Sequence, residues 1–481
     1  MRKAAAIASA LALAACAAGP DFKRPDLSAL TPTAFEEAGE AVAPAAWWTS
    51  LGDPILDSLV ADALAGNRDL KAAEASVRAA RAELGLSQFD LAPTVRSEAQ
   101  YRRQRVSADG LGATIPGIPA GTPFPDTDLF DAGLAASWEL DFWGRVRRSV
   151  EAARASYQGA QADRRAAAVL VSAEVALSYA ALRGAERQRD VARRNVDKQA
   201  ETRALTESLE KAGRASSLDA ARARAQEEAT EALIPPLDAA IARERRRLAV
   251  LTGRAPGALD AMLAAGAGKG LPQIPAGRPA GDPGLILRQR PDILRAERDL
   301  AAATARIGVA TADLFPRVRF VGAVGASSST LASYGTRPSL DFGFGPTIEW
   351  AAFDLGRVRA GIRASEAKAE AALARYEQTA LKALEETANA FTDLARERER
   401  NARLERAVAE SADAAALAAA RYRAGLDGFL AVLDAERRLL DAESALAVSD
   451  TRALSAYVAV YRALGGGWRI DPAGGEAAPA D

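Results

Sequence analysis

The chain has 481 residues, 49% of them apolar but only 6% aromatic, and a formal net charge of −1. Near-neutrality leaves no electrostatic footprint for a nucleic-acid partner. With one cysteine and no histidine, an internal disulfide and any Cys/His zinc or haem site are excluded, so no metal and no cofactor beyond a covalent lipid are expected.

Arg2-Lys3 and the apolar run Ala4 to Ala15 have the layout of a secretory signal, residues 1–15. At about 12 residues the run is too short to span a bilayer, which needs about 20. Leu13-Ala14-Ala15-Cys16 matches the bacterial lipobox, in which the cysteine sulfur receives a diacylglycerol before cleavage. The alternative is an ordinary Ala-x-Ala signal with an incidental cysteine. Ala17 follows rather than Asp, so no inner-membrane retention signal is evident. Residues 16–52 then read as a lipid-anchored arm.

Asp53 is a candidate N-cap with Pro54 at the first helical position, and Leu56, Leu59, Val60 and Ala63 recur as one helix face. Asn67-Arg68-Asp69 marks a break before a second helix, Leu70 to about Asp90. From Pro93 the period changes from helix to strand. Val95, Ala99 and Tyr101 alternate with Arg96, Glu98 and Gln100, and after the 109–125 loop Leu134, Ala136, Trp138 and Leu140 alternate with Gly133, Ser137, Glu139 and Asp141. This hairpin, 93–143, fits either a membrane barrel or a soluble sheet with one buried face. Arg145 to Ala212 is proline-free with two glycines, Gly159 and Gly184. Read as one helix of about 68 residues it is roughly 100 Å long and needs parallel neighbours throughout. It turns at Gly213, and the return helix is broken by Pro235-Pro236.

The second half repeats the first. An offset of 223 pairs Asp69 with Asp292, Gly85 with Gly308 and Pro93 with Pro316; past the loop an offset of 212 pairs Gly144-Arg145-Val146-Arg147 with Gly356-Arg357-Val358-Arg359, and Gly213 with Gly425. The 11-residue difference falls in a loop, where insertions belong. The duplication divides the chain into a first repeat, 53–253, a linker, 254–284, a second repeat, 285–466, with its hairpin at 316–353 and long helix hairpin at 356–464, and a tail, 467–481. Four strands of one design argue for a membrane sheet, but bacterial barrels need at least eight strands and cannot leave open edges in lipid. The chain must oligomerise. Its last helix, Phe429 to Leu464, carries two adjacent apolar heptad rows, those of Val432 and Leu433, which suit coiled-coil packing on more than one neighbour.

In order along the chain, the lipobox with Gly19-Pro20-Asp21-Phe22, Trp47-Trp48, Leu51-Gly52-Asp53-Pro54, Arg290-Pro291-Asp292-Ile293, the two Gly-Arg-Val-Arg motifs and Tyr461 to Trp468 resemble the TolC-like outer-membrane efflux family, in particular its lipoprotein branch (OprM-like, NodT-type). The resemblance covers nearly the whole chain. It implies a membrane α+β fold: a homotrimer with one 12-stranded outer-membrane β-barrel continuous with a 12-helix periplasmic α-barrel. It also implies a passive exit duct docked to a periplasmic adaptor and an inner-membrane pump of the resistance–nodulation–division type.

For the periplasmic tip the resemblance implies that Tyr422, before Gly425, hydrogen-bonds Asp219 to hold the duct closed. A second, basic latch position is Asp427 here, and of two acidic ring positions Asp434 is kept while the outer is Ala431. Trp143, Trp350, Phe142 and Phe353, beside Arg145, Arg147, Arg148, Arg357 and Arg359 at the Gly144 and Gly356 helix starts, suit a membrane–water interface. The charges Arg96, Glu98, Glu139, Asp141, Arg319, Asp341 and Glu349 are expected to face the lumen, with mixed signs. A catalytic role has no support: common base–nucleophile pairs are absent, and Lys269 lacks the glycine spacing and Ser/Thr of a phosphate loop. A type I protein-secretion duct and a structural coiled-coil envelope spacer are the alternatives.

Overall fold

A computed structural model of the chain describes residues 17–30, 46–105, 125–277, 287 and 289–467. Cys16, Trp468 and most of the 109–125 loop lie outside the described residues. Helix α1 (Pro54–Gly66) begins as its sequence requires, with the Asp53 carboxylate accepting from the Ile55 and Leu56 N–H groups. Asn67 does more than break the chain. Its side-chain oxygen accepts from Asp69 and Leu70 and starts α2 (Arg68–Phe89).

Strands β1 (Thr94–Gln104), β2 (Thr127–Glu139), β3 (Arg317–Ser328) and β4 (Leu340–Glu349) form one antiparallel sheet in chain order. The long helices are α3 (Arg145–Lys211) and α8 (Leu355–Arg423), of 67 and 69 residues. One window of α3 is apolar enough to cross a bilayer, but 56% of it is buried within the structure, as a packed helix requires. The return from α3 is split into α4 (Ser217–Glu231) and α5 (Ile234–Leu251). Pro235 and Pro236 sit in the first turn of α5, where a missing N–H costs nothing, so the helix resumes before the prolines and not after them. Helix α7 (Pro291–Ala312) precedes β3, and α9 (Phe429–Ala463) returns from α8.

Two stretches depart from expectation. The 254–284 segment contains a short helix, α6 (Asp260–Ala265), held by buried Leu259 and Leu263. Trp47 belongs to the core and not to an arm: it is fully buried and stacks on Tyr461 at 5.3 Å.

Residues divide into two compact units. One comprises Met1–Pro25, Arg78–Gly159 and Ala296–Arg375; the other comprises Asp26–Val77, Ala160–Arg295 and Tyr376–Asp481. Each draws on both repeats, so the repeats are interleaved in space. The first unit holds the sheet with the adjoining helix ends. The second holds the helical hairpins and is centred on buried side chains such as Leu56, Tyr179, Tyr376 and Tyr457.

Candidate functional site

In the sheet-bearing unit the register places Tyr101, Leu134, Trp138, Phe320, Phe342, Phe344 and Ile348 on one face, all of them exposed. Arg96, Glu98, Asp131, Arg319, Asp341 and Glu349 stand on the other. A continuous aromatic face of this kind is too costly to leave in water and marks contact with lipid or protein. The alternation read from the sequence is therefore the alternation of the sheet.

Where strands meet helices, each half ties its tryptophan to the end of the preceding helix segment. Trp138 Nε1 donates to Leu91 O at 2.9 Å and Trp350 Nε1 to Leu314 O at 3.0 Å. Trp143 Nε1 donates across the halves to Pro316 O, and its ring stacks on Phe315 at 4.5 Å. Phe142, Trp350 and Phe353 remain exposed, as an interfacial belt requires.

The first corner is a closed ionic lock. Arg145 grips Glu139 with two bonds of 2.8 and 2.7 Å. Asp141, expected on the lumen side, lies beyond the end of β2. Its two oxygens accept from the Val146 and Arg147 N–H groups at 3.0 and 2.9 Å, capping α3. Glu139 is likewise paired, so neither carboxylate is a free lumen charge. The second corner lacks this lock, because Ala351 and Phe353 stand at the positions of Glu139 and Asp141. There Arg357 pairs with Asp354 at 2.6 Å, Arg359 has no ion pair among the described residues, and Gly356 already lies inside α8. Gly144, by contrast, precedes α3 with φ +76°, and a Cβ there would lie 2.7 Å from Ala17.

That contact belongs to a docked N-terminal segment. Ala18 N donates to Trp143 O, and Arg148 reaches Ala18 O, Gly19 O and the Asp21 carboxylate at 3.1, 3.3 and 2.6 Å. Phe22 packs on Ala155, Ala301 and Ala302, and Arg24 pairs with Glu297 at 3.0 Å. The residues directly after Cys16 are thus fixed at the strand–helix corner.

The helical unit carries the tip. Gly213 and Gly425, at φ +69° and +73°, make the same turn: Arg214 N donates to Leu209 O and Leu426 N to Arg421 O. A Cβ on Gly425 would stand 3.3 Å from the Arg214 guanidinium, so the two turns lie side by side. Behind them Ala223, Tyr422, Phe429, Val432 and Leu433 form a buried cluster, joined by Leu205 and Leu209.

The expected Tyr422–Asp219 bond is not formed within the chain. Asp219 is engaged by Ser216 in a capping box and by Arg222, and the buried Tyr422 hydroxyl donates instead to Thr206 at 3.5 Å. Asp427 is bound by Arg421 through bonds of 2.6 and 3.1 Å, and the Arg421 hydrogen bond holds its carboxyl below the usual range. Asp434, exposed, pairs with Arg438 at 2.9 Å. Sequence reasoning missed Thr206, although Asn195, Gln199, Thr202 and Thr206 recur at four- and three-residue steps. Those steps define one helix face, and all but Thr202 are buried.

A chain with a lipid-ready sheet and helices of 67 and 69 residues has the build of an outer-membrane channel. The family profile described as "Outer membrane efflux protein" matches residues 59–254 and 283–466. The chain belongs to that family. Outer membrane protein OprJ of Pseudomonas aeruginosa is 33% identical, with 96% of this chain and 95% of the relative covered. Nodulation protein T of Rhizobium leguminosarum bv. trifolii is 29% identical, with 95% and 96% covered. The solved outer-membrane channel OprN superposes with a TM-score of 0.86 at 42% identity, covering 95% of this chain and all of that one; the open-state Neisseria gonorrhoeae MtrE channel gives 0.82 at 28%, with 95% of this chain and 100% of that one covered. The protein is an outer-membrane efflux channel with the TolC-like fold.

Proposed function

We propose that three copies of this chain form the exit duct of a tripartite efflux system of the resistance–nodulation–division type. The observation that carries this reading is the four-stranded sheet, with one exposed aromatic face, one polar face and two unpaired edges. Lipid can satisfy neither edge. Three copies supply 12 strands and close a barrel whose polar face lines water. The tip at Gly213 and Gly425 serves as the periplasmic gate and docks an adaptor protein, which links the duct to an inner-membrane pump. Cys16 carries the lipid that anchors the docked N-terminal segment in the outer membrane.

Relatives at 30% identity include a toluene efflux protein of Pseudomonas putida and a cation efflux protein of Escherichia coli. Such unlike cargoes on one scaffold support a duct that follows its pump's choice of substrate. Deleting the gene and testing sensitivity to a panel of dyes, solvents, antibiotics and metal ions checks the reading. Sensitivity restored to normal by the intact chain supports it; unchanged sensitivity with loss of an exported protein supports a protein-secretion duct instead.

A further inference from the structure

We propose that Arg359 and Arg363 of α8 form a binding site for the phosphate of an anionic phospholipid, whose chains lie against Trp350 and Phe353. The two repeats differ sharply at this place. In the first half Arg147 holds the Asp141 carboxylate at 3.3 Å and the Asp141 backbone carbonyl at 3.1 Å, and Glu151 is held by Arg148 at 2.7 Å. The offset of 212 carries Arg147, Asp141, Glu151 and Arg148 onto Arg359, Phe353, Arg363 and Ala360. One acid has become an aromatic ring, the other has become a second arginine, and the cation that held it has become alanine. Arg359 and Arg363 are both exposed, and neither has an ion pair or a side-chain hydrogen bond among the described residues.

The two arginines stand on the lipid side of the helix. Leu355, Val358, Ile362 and Ser365 are partly buried and pack α8 onto the chain. Arg357 is the counterpart of Arg145, which reaches Glu139 on the polar face of the sheet. With 3.6 residues per turn, Arg359 and Arg363 point about 160° and 120° away from Arg357, and so away from the polar face. They lie one turn apart on a single helix face, about 6 Å along the axis. Two guanidinium groups at that spacing can share one phosphate.

Their height fits the same ligand. Trp350 and Phe353 are exposed just before α8 begins at Leu355, where aromatic rings mark the edge of the hydrocarbon. The headgroup layer beyond that edge is about 5–8 Å thick. Arg359 and Arg363 follow Leu355 by about 6 and 12 Å of helix. Helical side chains tilt toward the start of their helix, here toward the membrane, and a long arginine stem carries the charge further that way. Guanidinium donors match phosphate oxygens in pairs. Neither nearby acid competes: Asp354 is taken by Arg357 at 2.6 Å, and Glu366 lies a further turn from the membrane. A zwitterionic headgroup would bring its own cation against the two arginines, whereas an anionic one gains from both.

Purified full-length protein in detergent is titrated with phosphatidylglycerol or phosphatidylcholine, with and without inorganic phosphate, and bound lipid is counted by native mass spectrometry. Phosphatidylglycerol is expected to bind at least tenfold more tightly than phosphatidylcholine. Arg359→Gln with Arg363→Gln is expected to weaken phosphatidylglycerol at least tenfold and leave phosphatidylcholine unchanged, while Arg357→Gln, on the other side of the helix, keeps wild-type binding. Phe353→Asp restores the first half's acid beside Arg359 and is expected to weaken phosphatidylglycerol at least threefold without removing either arginine. Helical circular dichroism selects the variants that keep the wild-type fold. Unchanged phosphatidylglycerol binding in the double variant overturns the site. Equal loss of both lipids overturns phosphate recognition in favour of apolar contact alone. Displacement of phosphatidylglycerol by millimolar inorganic phosphate assigns the arginines to free phosphate and overturns the lipid.

Discussion

Asn67 and Arg290 stand at matching places in the two repeats, and each donates to the last turn of its returning helix. Asn67 Nδ2 reaches Leu251 O at 2.9 Å and Arg290 Nη1 reaches Ala463 O at 2.6 Å. The residue type has changed while the bond has been kept, because a buried carbonyl at a helix end needs a donor. Arg290 also holds Asp292 and Glu386 at 2.7 and 2.9 Å. Asn67→Ala therefore removes a cap and a carbonyl partner, costing about 1–2 kcal/mol. Arg290→Met removes a charged donor with three acceptors, two of them partly hydrated, and costs about 1–3 kcal/mol. Thermal unfolding followed by helical circular dichroism in detergent is expected to show both midpoints lowered, Arg290→Met by at least as much.

At the tip, magnitudes separate two roles for Tyr422. A hydroxyl contact of 3.5 Å is at the weak end of hydrogen bonding, so Tyr422→Phe is expected to change gate leakage less than twofold. Tyr422→Ala empties the cluster with Phe429, Val432 and Leu433, a loss of about 3–5 kcal/mol for a buried aromatic, and is expected to open the proposed gate. Entry of a large antibiotic normally excluded by the outer membrane measures the difference. Equal leakage from both variants would return the gate to a hydrogen-bond latch.

Acid acts on the helical unit in two opposed ways. Burial pushes Glu436 above the usual carboxylate range, against the Thr202 hydrogen bond and the Lys198 charge. A group raised in the folded state adds stability at low pH that is lost as pH rises through its folded value. Protonation of Glu436, as pH falls through its raised value, thus favours the α3–α9 contact. Asp427 is lowered by Arg421, so its contribution is present above the ordinary carboxylate value and is lost only as pH falls through the lowered one. Leakage is expected to fall as pH drops through the raised Glu436 value and to rise again as it drops through the lowered Asp427 value, and Glu436→Gln is expected to abolish the first phase alone.

Arg148 is the socket of the N-terminal segment, with three acceptors from residues 18–21. Arg148→Met keeps the packing length and removes every donor. Hydrogen exchange at residues 17–25 is expected to rise at least tenfold, with the sheet's protection unchanged. Unaltered exchange there would mean that Phe22, the Ala18–Trp143 bond and the Arg24–Glu297 pair seat the segment without Arg148.

Much of this was legible in sequence because it is periodic or repeated. The strands announced themselves by alternation, the long helices by the absence of proline, and the duplication by two constant offsets. What escaped was chemistry that depends on who stands nearby. Asp141 alternates like a strand residue, yet it caps α3 because β2 ends two residues earlier. Leu259 and Leu263 sit in a Gly/Pro-rich stretch too short to show a period, and only the structure reveals them as buried anchors. Arg148 looked like one more interfacial cation, since nothing local marks the Gly19–Asp21 backbone as its target. The tip tyrosine was visible, but its partner Thr206 lies 216 positions away on another helix.

Single-channel recording in planar bilayers tests the duct most directly. Purified protein is expected to show small, brief openings, and Tyr422→Ala combined with Arg421→Ser is expected to give stable openings at least several-fold larger. Silence from both proteins, each correctly folded and inserted, would contradict the account.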